Sequence, residues 1–110
     1  MFHMLSCFNL EPGDDISEFR QAYLNFVAEM KRIDLVESTG PIGHRQHDTP
    51  MDTDEERNHE YFVVMTFRDR EQVDAAYDHI LQHEGSSDIA HNSIYTRVID
   101  PVFICWEDLP

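Results

Sequence analysis

The sequence is poor in cations, cysteine, glycine and proline, and these shortages exclude whole classes of protein. Lys31 is the only lysine among 110 residues, and 8 Lys+Arg face 22 Asp+Glu, giving a net charge of −14. Because binding to phosphates needs clustered Lys and Arg, we expect no nucleic-acid partner. Two cysteines, Cys7 and Cys105, are too few for a disulfide framework and are typical of a reducing cytoplasm.

Long apolar runs are also missing. No run approaches the roughly 20 residues that a membrane helix needs, and no basic segment precedes an apolar one as in a secretory signal. We therefore expect a cytoplasmic protein without a membrane partner. Hydrophobic residues still make up 41% of the chain, which is enough for a packed core and argues against disorder. The length is that of one domain, spanning 1–110.

Apolar spacing and turn residues predict the order β-α-β-β-α-(α)-β. Strands are predicted over 2–10, 35–46, 61–67 and 102–106, and the proline in Gly40-Pro41 marks the second as an edge strand or bulge. Helices are predicted over about 15–33, capped by Asp15, and from a cap at Asp69 to a stop at Gly85. A short extra helix is predicted over 88–98. This order is the split βαβ pattern of a ferredoxin-like α+β fold with an antiparallel four-stranded sheet.

A polar segment over 47–59 separates the two middle strands. It reads HDTPMDTDEERNH and is long for a hairpin connection, so we expect an exposed loop. Its histidines and carboxylates have the composition of a cation-binding loop, but no established metal-ligand spacing is present. A solvated loop is the simpler interpretation, and no metal site is predicted.

The three strong strands are apolar on both faces, which predicts a homodimer. In YFVVMTF, for example, Tyr61, Val63, Met65 and Phe67 alternate with Phe62, Val64 and Thr66. Two helices cover one face of such a sheet and leave the other exposed. Since large apolar patches are rare on soluble monomers, a second copy is the simplest cover. The alternative is that the extra helix shields this face.

The strand HMLSCFNL, the following EPGDD and the segment YFVVMTFRDREQVDAAYDHI resemble the dimeric α+β barrel superfamily, particularly its stress-responsive A/B-barrel (Dabb) type. The final strand VFICWEDL also fits. The resemblance covers most of the chain but consists of apolar and turn positions, so it implies the fold more than an activity. Relatives include cofactor-independent monooxygenases, polyketide cyclases and proteins of unknown role.

The resemblance also implies candidate catalytic residues. A plant cyclase of the Dabb type uses a first-strand histidine with a tyrosine and a histidine on or after the second helix. By this resemblance His3 matches the first-strand histidine and Tyr77 the helix tyrosine, whereas His83 and His91 are alternative matches for the second histidine. Histidine is a natural general base near neutral pH, and a tyrosine hydroxyl could stabilise the enolate or phenolate that forms.

Two function classes remain open from the sequence. The first is a small-molecule-binding protein of uncharacterised role, with a pocket between the sheet and the helices. If it is an enzyme, we expect it to use His3, Tyr77 and His83 or His91, without a cofactor, in acid/base chemistry on a phenolic or polyketide-like substrate. The second is a non-catalytic homodimeric module. The enzyme requires at least two of these side chains to converge within about 3–6 Å of one ligand position.

Overall fold

The computed structural model describes residues 1–82 and 85–110. Eight elements follow in order: β1 Phe2–Leu10, α1 Ile16–Arg32, β2 Ser38–Thr39, β3 Gly43–His44, β4 Tyr61–Phe67, α2 Arg70–Leu81, α3 Gly85–Tyr95 and β5 Val98–Glu107. The strands form an antiparallel sheet in the order β2-β4-β1-β5, and β3 also pairs with β4. The predicted ferredoxin-like α+β fold is confirmed.

Side-chain caps start the first two helices where the sequence predicts them. The Asp15 carboxylate accepts the backbone N–H of Ser17 at 2.7 Å, and the Asp69 carboxylate accepts that of Gln72 at 2.8 Å. These bonds satisfy N–H groups that have no partner within the helix. The face of α1 that packs on the sheet carries Phe19, Tyr23, Phe26, Val27 and Met30, all buried. They meet Phe8, Val63, Met65 and Phe67 in one core.

Four predicted elements have wrong boundaries, and one of them is the extra helix, predicted over 88–98 and found at Gly85–Tyr95. The strand predicted over 35–46 consists of two short pieces around Pro41, which has no N–H to donate to a ladder. Helix α2 ends at Leu81 and does not reach Gly85, which begins α3 with a φ of 71°. Strand β5 begins four residues earlier than predicted because it pairs with β1 from Val98 onward.

The extra helix α3 does not cover the open side of the sheet. Its residues Ala90 and Ile94 pack against the core, and the helix lies against α1. The alternative explanation for the two apolar sheet faces, a shielding helix, is therefore wrong. Among the described residues, no helix is long and apolar enough to cross a membrane.

Candidate functional site

The sheet has a face turned away from the helices, which we call the open face. Strand register defines it, because residues directly opposite each other in a ladder point to the same side. His3, Leu5 and Cys7 of β1 pair with Thr66, Val64 and Phe62 of β4, and with Trp106, Ile104 and Val102 of β5. Most of these nine side chains are apolar, and those on β5 are 37% to 42% exposed.

Residues 45–59 fold over one end of the open face and are held there by Arg45. Its guanidinium donates to both carboxylate oxygens of Asp52 at 2.7 Å, and to the carbonyl oxygens of Asp54 and Arg57. The Arg45 side chain is only 7% exposed. Cys7 is buried at this end, and burial raises the pKa of its thiol. The loop thus closes the Cys7 end and leaves the His3 end open.

His3 occupies the other end and is held by hydrogen bonds at both ring nitrogens. Its Nδ1 lies 3.0 Å from Oγ1 of Thr66, and its Nε2 lies 2.9 Å from Oδ1 of Asp108. The ring centroid is 5.2 Å from that of Trp106. The His3 side chain is 19% exposed. The imidazole is therefore fixed in orientation but still accessible from the open face.

The carboxylate beside His3 sets the positions of the protons. The hydrogen bond from His3 holds the pKa of Asp108 below its ordinary value, so the carboxylate is ionised at neutral pH and can only accept. Nε2 of His3 must then carry the hydrogen and act as the hydrogen-bond donor to Asp108. In the neutral imidazole this leaves the lone pair on Nδ1, which faces the Thr66 hydroxyl. An imidazole in this form can accept a proton at Nδ1 while Nε2 keeps its hydrogen bond to Asp108.

The other sequence-predicted residues do not join His3. Tyr77 is 65% exposed on α2. The ring of His91 lies on the helix side of the sheet, 5.7 Å from Phe26 in the core and 5.5 Å from Tyr95. His83 lies outside the described residues. The sheet separates His3 from His91, so the described part of the chain does not bring the predicted set together.

Sequence reasoning missed the actual neighbours of His3. Thr66 is the one polar residue on the open face of β4, which is a weak signal in an apolar strand. Trp106 is one aromatic residue in an apolar final strand, and that pattern alone does not indicate a site. Asp108 follows the last strand and lies 105 positions from His3 in the chain. Only the β1–β5 register places it beside that ring.

Two surface grooves lie near the loop end of the molecule, and neither is lined by a helix residue. The first, about 460 Å³, is lined by Asn9, Leu10, Glu11, Pro12, Asp14, His47, Asn58, Glu60 and Tyr61. The second, about 470 Å³, lies between residues 45–57 and Phe62. The expected ligand pocket between sheet and helices is not one of them, because core side chains such as Phe19 and Phe26 fill that space.

Two carboxylates of the acidic loop form ion pairs with arginines beside them or within the loop. Asp52 pairs with Arg45 at 2.7 Å and Asp54 with Arg57 at 2.5 Å. His59 is buried, and its Nε2 lies 2.7 Å from the carbonyl oxygen of Asp100. Within residues 1–82 and 85–110, no group of three or more His, Cys, Asp or Glu is placed to hold a metal ion.

The fold is ferredoxin-like, as the resemblance implied, and several solved structures share it. No family model matches the chain, and no curated protein matches it. An Arabidopsis thaliana protein, At3g17210, has a similar structure, with a TM-score of 0.71 at 12% identity, over 100% of this chain and 97% of that one. A dimeric ferredoxin-like protein of unknown function from Jannaschia sp. CCS1 has a TM-score of 0.65 at 12% identity, over 97% and 98% of the two chains.

The cofactor-independent oxygenase SnoaB from Streptomyces nogalater is also similar. Its TM-score is 0.60 at 7% identity, over 99% of this chain and 93% of that one. TM-scores of 0.60 to 0.71 over nearly the whole chain show a shared fold, but at 7% to 12% identity they show nothing more. Folds of this kind carry many activities.

Proposed function

We propose that the protein is a homodimer that encloses a small phenolic or polyketide-like molecule between the open faces of two sheets, and that His3 acts on this molecule as a general base without a cofactor. The observation that carries the proposal is the hydrogen-bonded His3–Asp108 pair at the accessible end of an apolar face. We also place the protein in the cytoplasm, which is consistent with Cys7 and Cys105 both being free thiols.

The need to cover the open face supports the dimer. Val102, Ile104 and Trp106 expose 37%, 39% and 42% of their surface on that face. Burial of apolar surface contributes roughly 25 cal/mol per Å², and a two-fold axis buries each residue twice. Two of the similar structures, from Jannaschia and from Thermobifida fusca, are described as dimeric ferredoxin-like proteins.

The chemistry follows from the proton positions around His3. An acidic O–H or C–H bond of the ligand breaks, a proton ends on Nδ1, and the anion remains on the ligand. Asp108 then faces the imidazolium and stabilises its charge. Trp106 offers an aromatic wall beside the ring. Similarity to a cofactor-independent oxygenase is consistent with such a step, since a deprotonated ligand is the electron-rich form. Tyr77 and His91 lie outside this site, so the described residues do not meet the convergence expected from the sequence, and the proposed step uses His3 with Asp108 in place of the predicted set.

The test uses light scattering for mass and 4-nitrophenol, whose anion is yellow, as the ligand probe. We expect a dimer, and we expect the apparent pKa of bound 4-nitrophenol to fall in the wild type and to return towards its free value in His3→Gln. Tyr77→Phe is the matched control and should behave like the wild type. A dimer that binds the probe without ionising it, equally in both proteins, would point to a non-catalytic module. A monomer that binds no probe would exclude the proposal altogether.

A further inference from the structure

We infer that the Thr66 hydroxyl is the group that meets the ligand, and that the ligand is therefore a hydroxyl acid, a phenol or an enol, and not a carbon acid. This inference rests on the proposed function, which leaves both kinds of acid open. Thr66 on β4 would then contact the ligand directly and recognise its hydroxyl group. The geometry that carries it is the chain of hydrogen bonds from Asp108 through His3 to Thr66.

When the His3 imidazole is neutral, the direction of each hydrogen bond in this series follows from the Asp108 end. An ionised carboxylate only accepts, so Nε2 of His3 donates to it at 2.9 Å. The neutral imidazole then has its lone pair on Nδ1, and the Thr66 hydroxyl donates its single hydrogen to that lone pair at 3.0 Å. The Nε2 hydrogen of His3 and the hydroxyl hydrogen of Thr66 are then both used in hydrogen bonds within this series of three residues.

The oxygen of Thr66 retains acceptor capacity. A hydroxyl oxygen has two lone pairs, and in the described part of the chain Oγ1 has the His3 ring as its only hydrogen-bond partner. Oγ1 of Thr66 can therefore accept a hydrogen bond from a ligand at this end of the open face. An O–H group meets that requirement, whereas a C–H group is a weak donor.

A proton can pass along the chain with all bonds balanced. The ligand O–H bond breaks and a new O–H bond forms at Oγ1. At the same time the original Thr66 O–H bond breaks and an N–H bond forms at Nδ1. The products are a bound oxyanion, an unchanged threonine and an imidazolium facing the Asp108 carboxylate. The step needs no oxidant, reductant or co-reactant.

The apolar surroundings indicate that the hydroxyl is carried on a ring. The next pair along the two strands is Leu5 and Val64, two residues from His3 and Thr66 and so about 7 Å away. That distance matches two fused aromatic rings lying on the open face. Trp106 lies beside the same end and adds aromatic surface.

The experiment compares 2-naphthol with 2-methoxynaphthalene, which keeps the rings but lacks the donor hydrogen. Thr66→Val and Thr66→Ala remove the hydroxyl, and Thr66→Ser keeps it. We expect the wild type and Thr66→Ser to bind 2-naphthol about tenfold more tightly than the ether, as one hydrogen bond predicts. We expect both hydroxyl-free variants to lose this preference. Fluorescence titration gives the affinities, and naphtholate emission reports ionisation.

The outcomes separate this inference from the proposed function. If Thr66→Val or Thr66→Ala folds and still prefers 2-naphthol, Thr66 is not the contact and the inference is overturned. If the wild-type dimer binds both probes equally, the inference is wrong but the ligand cavity of the proposed function stands. If the wild type is monomeric and binds neither probe, both fail.

Discussion

Replacing Ile104 with arginine should separate the two copies of the proposed dimer. Ile104 lies in the middle of β5, opposite Leu5, and is 39% exposed on the open face. Its neighbour Phe103 points to the other side of the same strand, opposite Ser6, and is 54% exposed. Phe103→Arg is therefore a matched control: it places the same charge on the same strand, but away from the proposed interface.

The magnitude follows from the surface that Ile104 still exposes. Full burial of an isoleucine side chain contributes about 1.5–3 kcal/mol, and roughly two fifths of that remains to be gained in each of two copies. Loss of this burial costs about 2 kcal/mol per dimer, which corresponds to roughly a 30-fold weaker dimer. Two buried arginines facing each other would cost more, because neither charge has a partner there.

Sedimentation equilibrium over a dilution series measures the effect. We expect Ile104→Arg to be monomeric at concentrations where the wild type and Phe103→Arg remain dimeric, while circular dichroism shows all three folded. Equal weakening by both substitutions would refute the assignment of the open face as the interface. A wild type that stays monomeric at high concentration would refute the dimer itself.

Three further predictions concern individual side chains. Burial raises the pKa of Tyr23 to about 12. The neutral hydroxyl therefore stabilises the fold fully below the ordinary tyrosine pKa, and this contribution is lost as pH rises towards 12. In melting curves at alkaline pH, the melting temperature of Tyr23→Phe should fall less with rising pH than that of the wild type. The pKa of Asp108 is lowered by its hydrogen bond from His3, so carboxyl-carbon NMR should show that pKa rising in His3→Phe, and the pair's contribution to stability disappearing as pH falls through the lowered value. Arg45→Met should release the loop over residues 45–59, so that an alkylating reagent modifies Cys7 faster than in the wild type. An unchanged rate would show that Arg45 does not hold this loop over Cys7.

The elements that the sequence predicts well are those that depend on local chemistry. Strands β1 and β4 and helix α1 follow from apolar spacing and from one cap at Asp15, and each is found within about one residue. Strand β5 is longer than predicted because its first residues are stabilised by pairing with β1 and not by their own pattern. Residues around Gly85 look like a stop but begin a helix, since a glycine with positive φ suits either boundary.

The candidate site was predictable only in part, because its residues are distant in the chain. A histidine in an apolar first strand is visible in the sequence, and His3 is indeed held on an accessible sheet face. Thr66 and Asp108 lie 63 and 105 positions from it, and only the strand register brings them together. As partners of His3 the resemblance pointed instead to Tyr77 and to His83 or His91. Tyr77 is exposed on α2 and His91 lies on the helix side of the sheet, so both are apart from His3, and His83 lies outside the described residues. A resemblance in fold therefore predicts the strand on which a residue lies better than it predicts the residues that surround it.

The polar groups on the open face argue that a second copy alone does not explain it. An interface that served only to hold two copies together would gain from apolar residues at every position, since burying an ionisable pair costs desolvation that its attraction repays only with good geometry. Between the Arg45-held loop and the Asp108–His3–Thr66 chain, the face is apolar, with Leu5, Val64 and Ile104 in register. The polar chain stands at the end that residues 45–59 leave uncovered. A hydrogen-bonded histidine at the accessible end of an apolar face is therefore the arrangement that the proposed ligand, with one acidic hydroxyl, would require.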